Sequence, residues 1–221
     1  MTSGSVSASS YAQSERAQLC DLLLAVGPDA PTLCEGWTTR DLAAHLIVRE
    51  GRLDAAPGIL IKPLAGYTAK VTSGVMAKGW DSMVATIRSG PPRFSPFAIP
   101  GVDGLANLLE YVVHHEDVLR AQSEWSARVL PAGESDLLWS RLCRMRGMLF
   151  RSMKGGVILV RTDESGPGTA AMTGGGDDPV TLTGTALELV LLAYGRRSVA
   201  QVEIGGSPAA QAAFAAASLG I

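Results

Sequence analysis

The apolar residues of this chain change period once, and that change limits what it can fold into. Up to about residue 153 they recur at helical spacing, and after Gly155-Gly156 they alternate. The runs VILVRTD, VTLTGT and VEIGG read as short strands, set among Gly-rich turns. A further short strand is expected around Thr169 to Thr173. Leu-rich Thr185 to Tyr194 and Ala-rich Pro208 to Ala217 read as helices between and after them. The pattern predicts an α+β chain: an N-terminal helical bundle, then a small C-terminal α/β domain, with a boundary near residue 154. With 221 residues, each part can bury a core.

Within the helical part, residues 1–10 are Ser-rich and read as a disordered tail, leaving 11–154 for the bundle and 155–221 for the second domain. Leucines and alanines from Ser14 to Val26 predict a helix stopped by Gly27-Pro28. Thr38 or Thr39 can cap the next helix, with Asp41 in its first turn, where a carboxylate favours the helix dipole. Residues 57–66 read as a connector, and Tyr67 to Arg88 as helix interrupted near Gly79. Four prolines between Gly90 and Pro100 exclude long regular structure there. Asp103 is expected to cap a helix running to about Ser123, and Glu134 to Met153 reads as one more.

A net charge of −2 with only 18% charged residues leaves no basic excess to neutralise phosphates, so nucleic acid is not an expected partner. The apolar stretches fall short of a membrane span, and the polar first residues carry no secretory pattern. Cys20, Cys34 and Cys143 are too widely spaced for a disulfide framework or a CxxC zinc pattern. Reduced thiols and a cytoplasmic location are the expectation. Cys34 reads as a buried free thiol, since nothing in its position supports a nucleophile or thiolate ligand, and Trp37 as a staple between its loop and the bundle.

Three histidines then stand out. His45 lies in TTRDLAAHLIVRE, while His114 and His115 lie in LLEYVVHHEDVLRA. Glu110 and His114 are four residues apart and share one helix face, with Asp117 near it as a group that can orient an imidazole. His115 is turned about 100° away, at 3.6 residues per turn. His45 comes from another helix, and bundle interiors commonly build metal sites from Glu and His on facing helices. Two histidines and one carboxylate form a three-ligand set with room for water or substrate, the arrangement of catalytic zinc rather than closed structural zinc. The same ligands also suit non-haem iron. The competing readings are a satisfied core histidine at 45 and a solvated Glu-His pair at 110 and 114.

At these residues a family resemblance appears. LCEGWTTRDLAAHLIVRE resembles the N-terminal signature of the mycothiol-dependent maleylpyruvate isomerase family of the DinB-like superfamily. EYVVHHEDVLRA resembles that family's Glu-x-x-x-His-x-x-Asp motif, and TGTALELVLLAYGRRS more weakly resembles its second domain. The likeness is strongest to an actinobacterial metal-binding subgroup. It implies a DinB-like four-helix bundle holding a divalent metal, most often zinc, on His45, Glu110 and His114, followed by an α/β domain related in shape to sterol-carrier folds.

The implied chemistry uses a small thiol such as mycothiol, held as a thiolate at the metal, that attacks an electrophilic substrate in isomerisation or S-transfer. An arginine would hold a substrate carboxylate. Arg196 and Arg49 are the candidates, Arg196 having the simpler role of a cation at a helix C-terminus as its competitor. The alternative is a non-catalytic protein whose bundle metal is structural, closed by a fourth ligand such as His115 or Asp117. The apolar C-terminal helix leaves a homo-oligomer open.

Overall fold

The computed structural model describes residues 7–52, 54–59, 61–92, 95, 102–153, 155–163 and 170–220. It is an α+β chain that divides into two compact units, Met1–Ala127 and Arg128–Ile221.

Among its described residues the first unit is helical: α1 (Ala8–Val26), α2 (Thr39–Gly51), α3 (Ala65–Met76), α4 (Trp80–Ser89) and α5 (Val102–Leu119), with two short 3-10 turns between α2 and α3. The Ser-rich start belongs partly to α1. Ser7 is its N-cap and accepts from the Ser10 N–H at 3.2 Å, so residues 8–10 are helical rather than a tail. Gly27 ends α1 at φ 83°, a left-handed conformation that favours glycine.

Thr38 caps α2: the Asp41 carboxylate accepts from the Thr38 N–H at 2.9 Å and from its hydroxyl at 2.7 Å. Gly79 precedes α4, the break expected there. α5 begins at Val102, one residue before Asp103, and ends at Leu119. The proline-rich stretch to Pro100 lies largely outside the described residues.

α1 packs along α5, α4 packs against α1 and α2, and α3 packs on α2. Leu19, Leu23, Leu42, Leu46, Met83 and Tyr111 are fully buried between them. Each buried leucine contributes about 2 kcal/mol relative to an exposed one. Arg16 and Glu50 pair inside this core at 3.3 Å, and the Arg16 Nε donates to the Tyr111 hydroxyl at 2.9 Å.

The second unit contains α6 (Ala132–Leu149), β1 (Val157–Arg161), β2 (Ala170–Thr173), β3 (Val180–Gly184), α7 (Ala186–Ala193), β4 (Glu203–Gly205) and α8 (Pro208–Ala216). Division by compactness falls one helix earlier than the change of period near 154, because α6 packs on α7. The sheet order is β2-β1-β3-β4, with β1 and β3 parallel and the outer pairs antiparallel. Val157, Leu159, Val180 and Leu182 point from β1 and β3 into the core. The third inward position of β1 is Arg161, buried but paired with Asp136 at 2.7 Å and Asp163 at 2.6 Å. Every residue of α7 is buried, which explains a Leu-rich run without polar alternation.

Candidate metal centre

The capping box starts α2 at Thr39 and so places His45 and Arg49 one turn apart on one face. On α5, positions 107, 110, 114 and 117 follow helical spacing and form a polar stripe of Asn107, Glu110, His114 and Asp117. The two faces meet.

Glu110 Oε1 lies 3.1 Å from His45 Nε2 and 3.3 Å from His114 Nε2, although His45 and Glu110 are 65 residues apart in the chain. The two imidazole rings stand 5.3 Å apart, edge to face. Arg49 Nε approaches the same Glu110 oxygen at 3.2 Å, and its Nη1 donates to Asn107 Oδ1 at 2.7 Å.

The far side of His114 is equally organised. Its Nδ1 lies 2.9 Å from Asp117 Oδ2, and Asp117 is fully buried. Cys34 Sγ donates to the same oxygen at 3.3 Å. The loop before α2 is stitched to this end of α5: the Leu33 N–H donates to the Asp117 carbonyl at 3.0 Å, and Gln122 Nε2 to the Pro31 carbonyl at 3.2 Å.

These contacts set the charges. Burial would raise the Glu110 carboxyl pKa, but hydrogen bonds from His114 and His45, with the charges of His114 and Arg49, hold it well below the usual range. Burial would lower the His114 pKa, but the bonds to Asp117, Cys34 and Glu110 hold it well above 6.5. Two groups of opposite charge thus share the space a cation would enter.

The residues fit a divalent ion. A tetrahedral zinc ion with bonds of about 2.0–2.1 Å separates neighbouring N and O ligands by about 3.3 Å. The observed separations are 3.1 and 3.3 Å, and the donor atoms of His45, Glu110 and His114 all lie within 4.8 Å of one another. Asp117 on Nδ1 turns His114 Nε2 inward, the usual arrangement of a carboxylate behind a metal-binding histidine.

Both residues considered as a fourth ligand have partners elsewhere. His115 Nδ1 lies 3.1 Å from Glu15 Oε2 toward α1, and Asp117 bonds the outer nitrogen of His114. Arg196 lies in the second unit just after α7, where its Nη1 donates to the Tyr194 carbonyl at 2.6 Å, a cation at a helix C-terminus.

Two residues have roles that their sequence positions did not announce. Trp37 stands 37% exposed with its ring 5.2 Å from that of His45, so the residue that links its loop to α2 also borders the centre. Cys34 is only half-buried and bonds Asp117 rather than being an isolated core thiol. Asn107 was missed by the sequence reading, and its place one turn before Glu110 on the same stripe is the signal that points to it.

No family model matches the chain, and no curated protein matches it by sequence. By structure it is similar to a mycothiol-dependent maleylpyruvate isomerase solved as a His-to-Ala variant, with a TM-score of 0.60 over 90% of this chain and 91% of that one, at 16% identity. None of the described helices is long and apolar enough to cross a membrane. In its fold, the chain is similar to that thiol-dependent isomerase.

Proposed function

We propose that the first unit is a DinB-like four-helix bundle that binds one divalent ion, zinc by preference, on His45, Glu110 and His114. We further propose that the protein is a thiol-dependent isomerase or S-transferase using mycothiol or a similar small thiol. The observation that carries the reading is the shared Glu110 oxygen, 3.1 and 3.3 Å from two imidazole nitrogens, with no fourth protein ligand among the described residues at that point. The fold likeness to a mycothiol-dependent isomerase supports the choice of thiol chemistry.

When bound there, a divalent ion supplies the Lewis acidity that makes a thiol a thiolate at neutral pH. The chain's own residues do the rest. Asp117 keeps the His114 proton on Nδ1, so that Nε2 stays available. Arg49, which contacts Glu110 at 3.2 Å, would hold a substrate carboxylate in exchange for part of that contact. Trp37 presents an apolar wall beside His45 and limits water on that side. Three free cysteines suit a reducing cytoplasm, where such a thiol is maintained.

The test has two stages. Purified protein should carry about one divalent ion per chain, lost in the double variant His45→Ala, His114→Ala. Retention of stoichiometric metal by that variant ends the reading. Mycothiol added to the cobalt-substituted protein should then shift its visible absorption. Metal binding with an unchanged spectrum leaves the non-catalytic reading instead.

A further inference from the structure

The described residues contain a second set of donor atoms on the opposite face of the same imidazole. Cys34 Sγ and His114 Nδ1 both approach Asp117 Oδ2, at 3.3 and 2.9 Å, and the three atoms lie within 4.8 Å of one another. A zinc-like ion would hold sulfur and oxygen about 3.5 Å apart, and nitrogen and oxygen about 3.3 Å apart. Those two pairs therefore have to open by only a few tenths of an ångström.

We propose that Cys34, Asp117 and the Nδ1 face of His114 form a second cation site, selective for thiophilic ions, whose occupation excludes an ion from the Nε2 face. It rests on the first reading only for the exclusion.

Two arguments carry it. The first is donor chemistry: the inner set is two imidazoles and a carboxylate, whereas the outer set contains a thiol, which favours soft ions such as cadmium. The second is that both sets need the same ring. An ion on Nδ1 leaves the remaining ring proton on Nε2, directed at Glu110. An ion on Nε2 leaves it on Nδ1, directed at Asp117. Holding both ions would require a fully deprotonated imidazolate.

The loop is built to keep Cys34 in place. The Cys34 N–H donates to Thr32 Oγ1 at 3.2 Å, and the Thr32 hydroxyl donates to the Trp37 carbonyl at 2.9 Å. Leu33 is tied to the Asp117 backbone in the same stretch. The thiol is thus held over the carboxylate by a short, hydrogen-bonded turn.

Cadmium titrated into metal-free protein, followed by the ultraviolet absorption of a cadmium–thiolate bond, tests the site. The expected result is a band that saturates at one equivalent in the wild type, persists in His45→Ala and disappears in Cys34→Ser. Zinc added first, to fill the inner set, should weaken apparent cadmium binding at least about tenfold, in the range seen when the groups around a metal ligand are changed. Absence of the band in wild type, or its survival in Cys34→Ser, overturns the site. Zinc and cadmium held together at full occupancy overturn the exclusion. If the band behaves as expected but zinc never binds His45 and Glu110, the first reading fails and this site stands.

Discussion

Asp117 accepts the Nδ1 hydrogen of His114 at 2.9 Å, and this contact sets the ring with its Nε2 toward Glu110, 3.3 Å away. An imidazole can offer its two nitrogens in either sense, and the fully buried Asp117 carboxylate, at the shorter distance, favours one of them.

Asp117→Asn should therefore weaken binding of the inner ion about 10–100-fold, because the amide no longer reinforces the histidine's basicity. Competition against a chelator of known affinity measures it. Unchanged affinity would mean that the carboxylate does not orient the ring.

Acid and base act on the metal-free protein in opposite senses. The Glu110 pKa is held below 4.5 in the folded state, so its contribution to stability is present above that value and is lost as pH falls through the folded value. The His114 pKa is held above 6.5, so its contribution is complete below 6.5 and is lost as pH rises through the folded value. Denaturation midpoints recorded with chelator should be highest between about pH 4.5 and 6.5 for this pair, and His114→Gln should remove the alkaline decline. Zinc affinity should fall about tenfold for each unit by which pH drops, wherever His114 has to release a proton to bind.

Arg49 is a cation 3.2 Å from the Glu110 oxygen that the inner ion needs. Arg49→Met should raise metal affinity by roughly tenfold, by removing a like charge from the site. The same variant should raise KM for a carboxylate substrate if Arg49 is its anchor. A fall in metal affinity would assign Arg49 to bracing Glu110 instead.

In the core of the first unit, Glu50 is the charge partner of buried Arg16, with Tyr111 between them. Glu50→Ala should cost about 3–5 kcal/mol, since it leaves a buried guanidinium without its carboxylate. Tyr111→Phe should cost about 1–2 kcal/mol, for the buried hydroxyl's hydrogen bonds to Arg16 and Glu50. Urea denaturation gives both values, and a loss below 1 kcal/mol in Glu50→Ala would show that Arg16 finds water.

The local signals were legible because they depend on neighbours within a turn. Thr38 with Asp41 marks the start of α2, and Gly27 and Gly79 mark breaks, since caps and left-handed turns need particular side chains. The pairing of Glu110 with His114, and the turning away of His115, follow from 3.6 residues per turn. The boundary was harder to read. α6 has the same helical period as the bundle, and only its packing on α7 assigns it to the second unit.

What the sequence determined by itself was the grammar of the elements and the stripe from Glu110 to Asp117 on one helix. What only the tertiary structure decided was which residues from elsewhere meet that stripe. Periodicity carries no information about contacts across 65 or 83 residues, so the approach of His45 to Glu110 was expected only from the family resemblance, and that of Cys34 to Asp117 appears only once the loop before α2 lies beside α5.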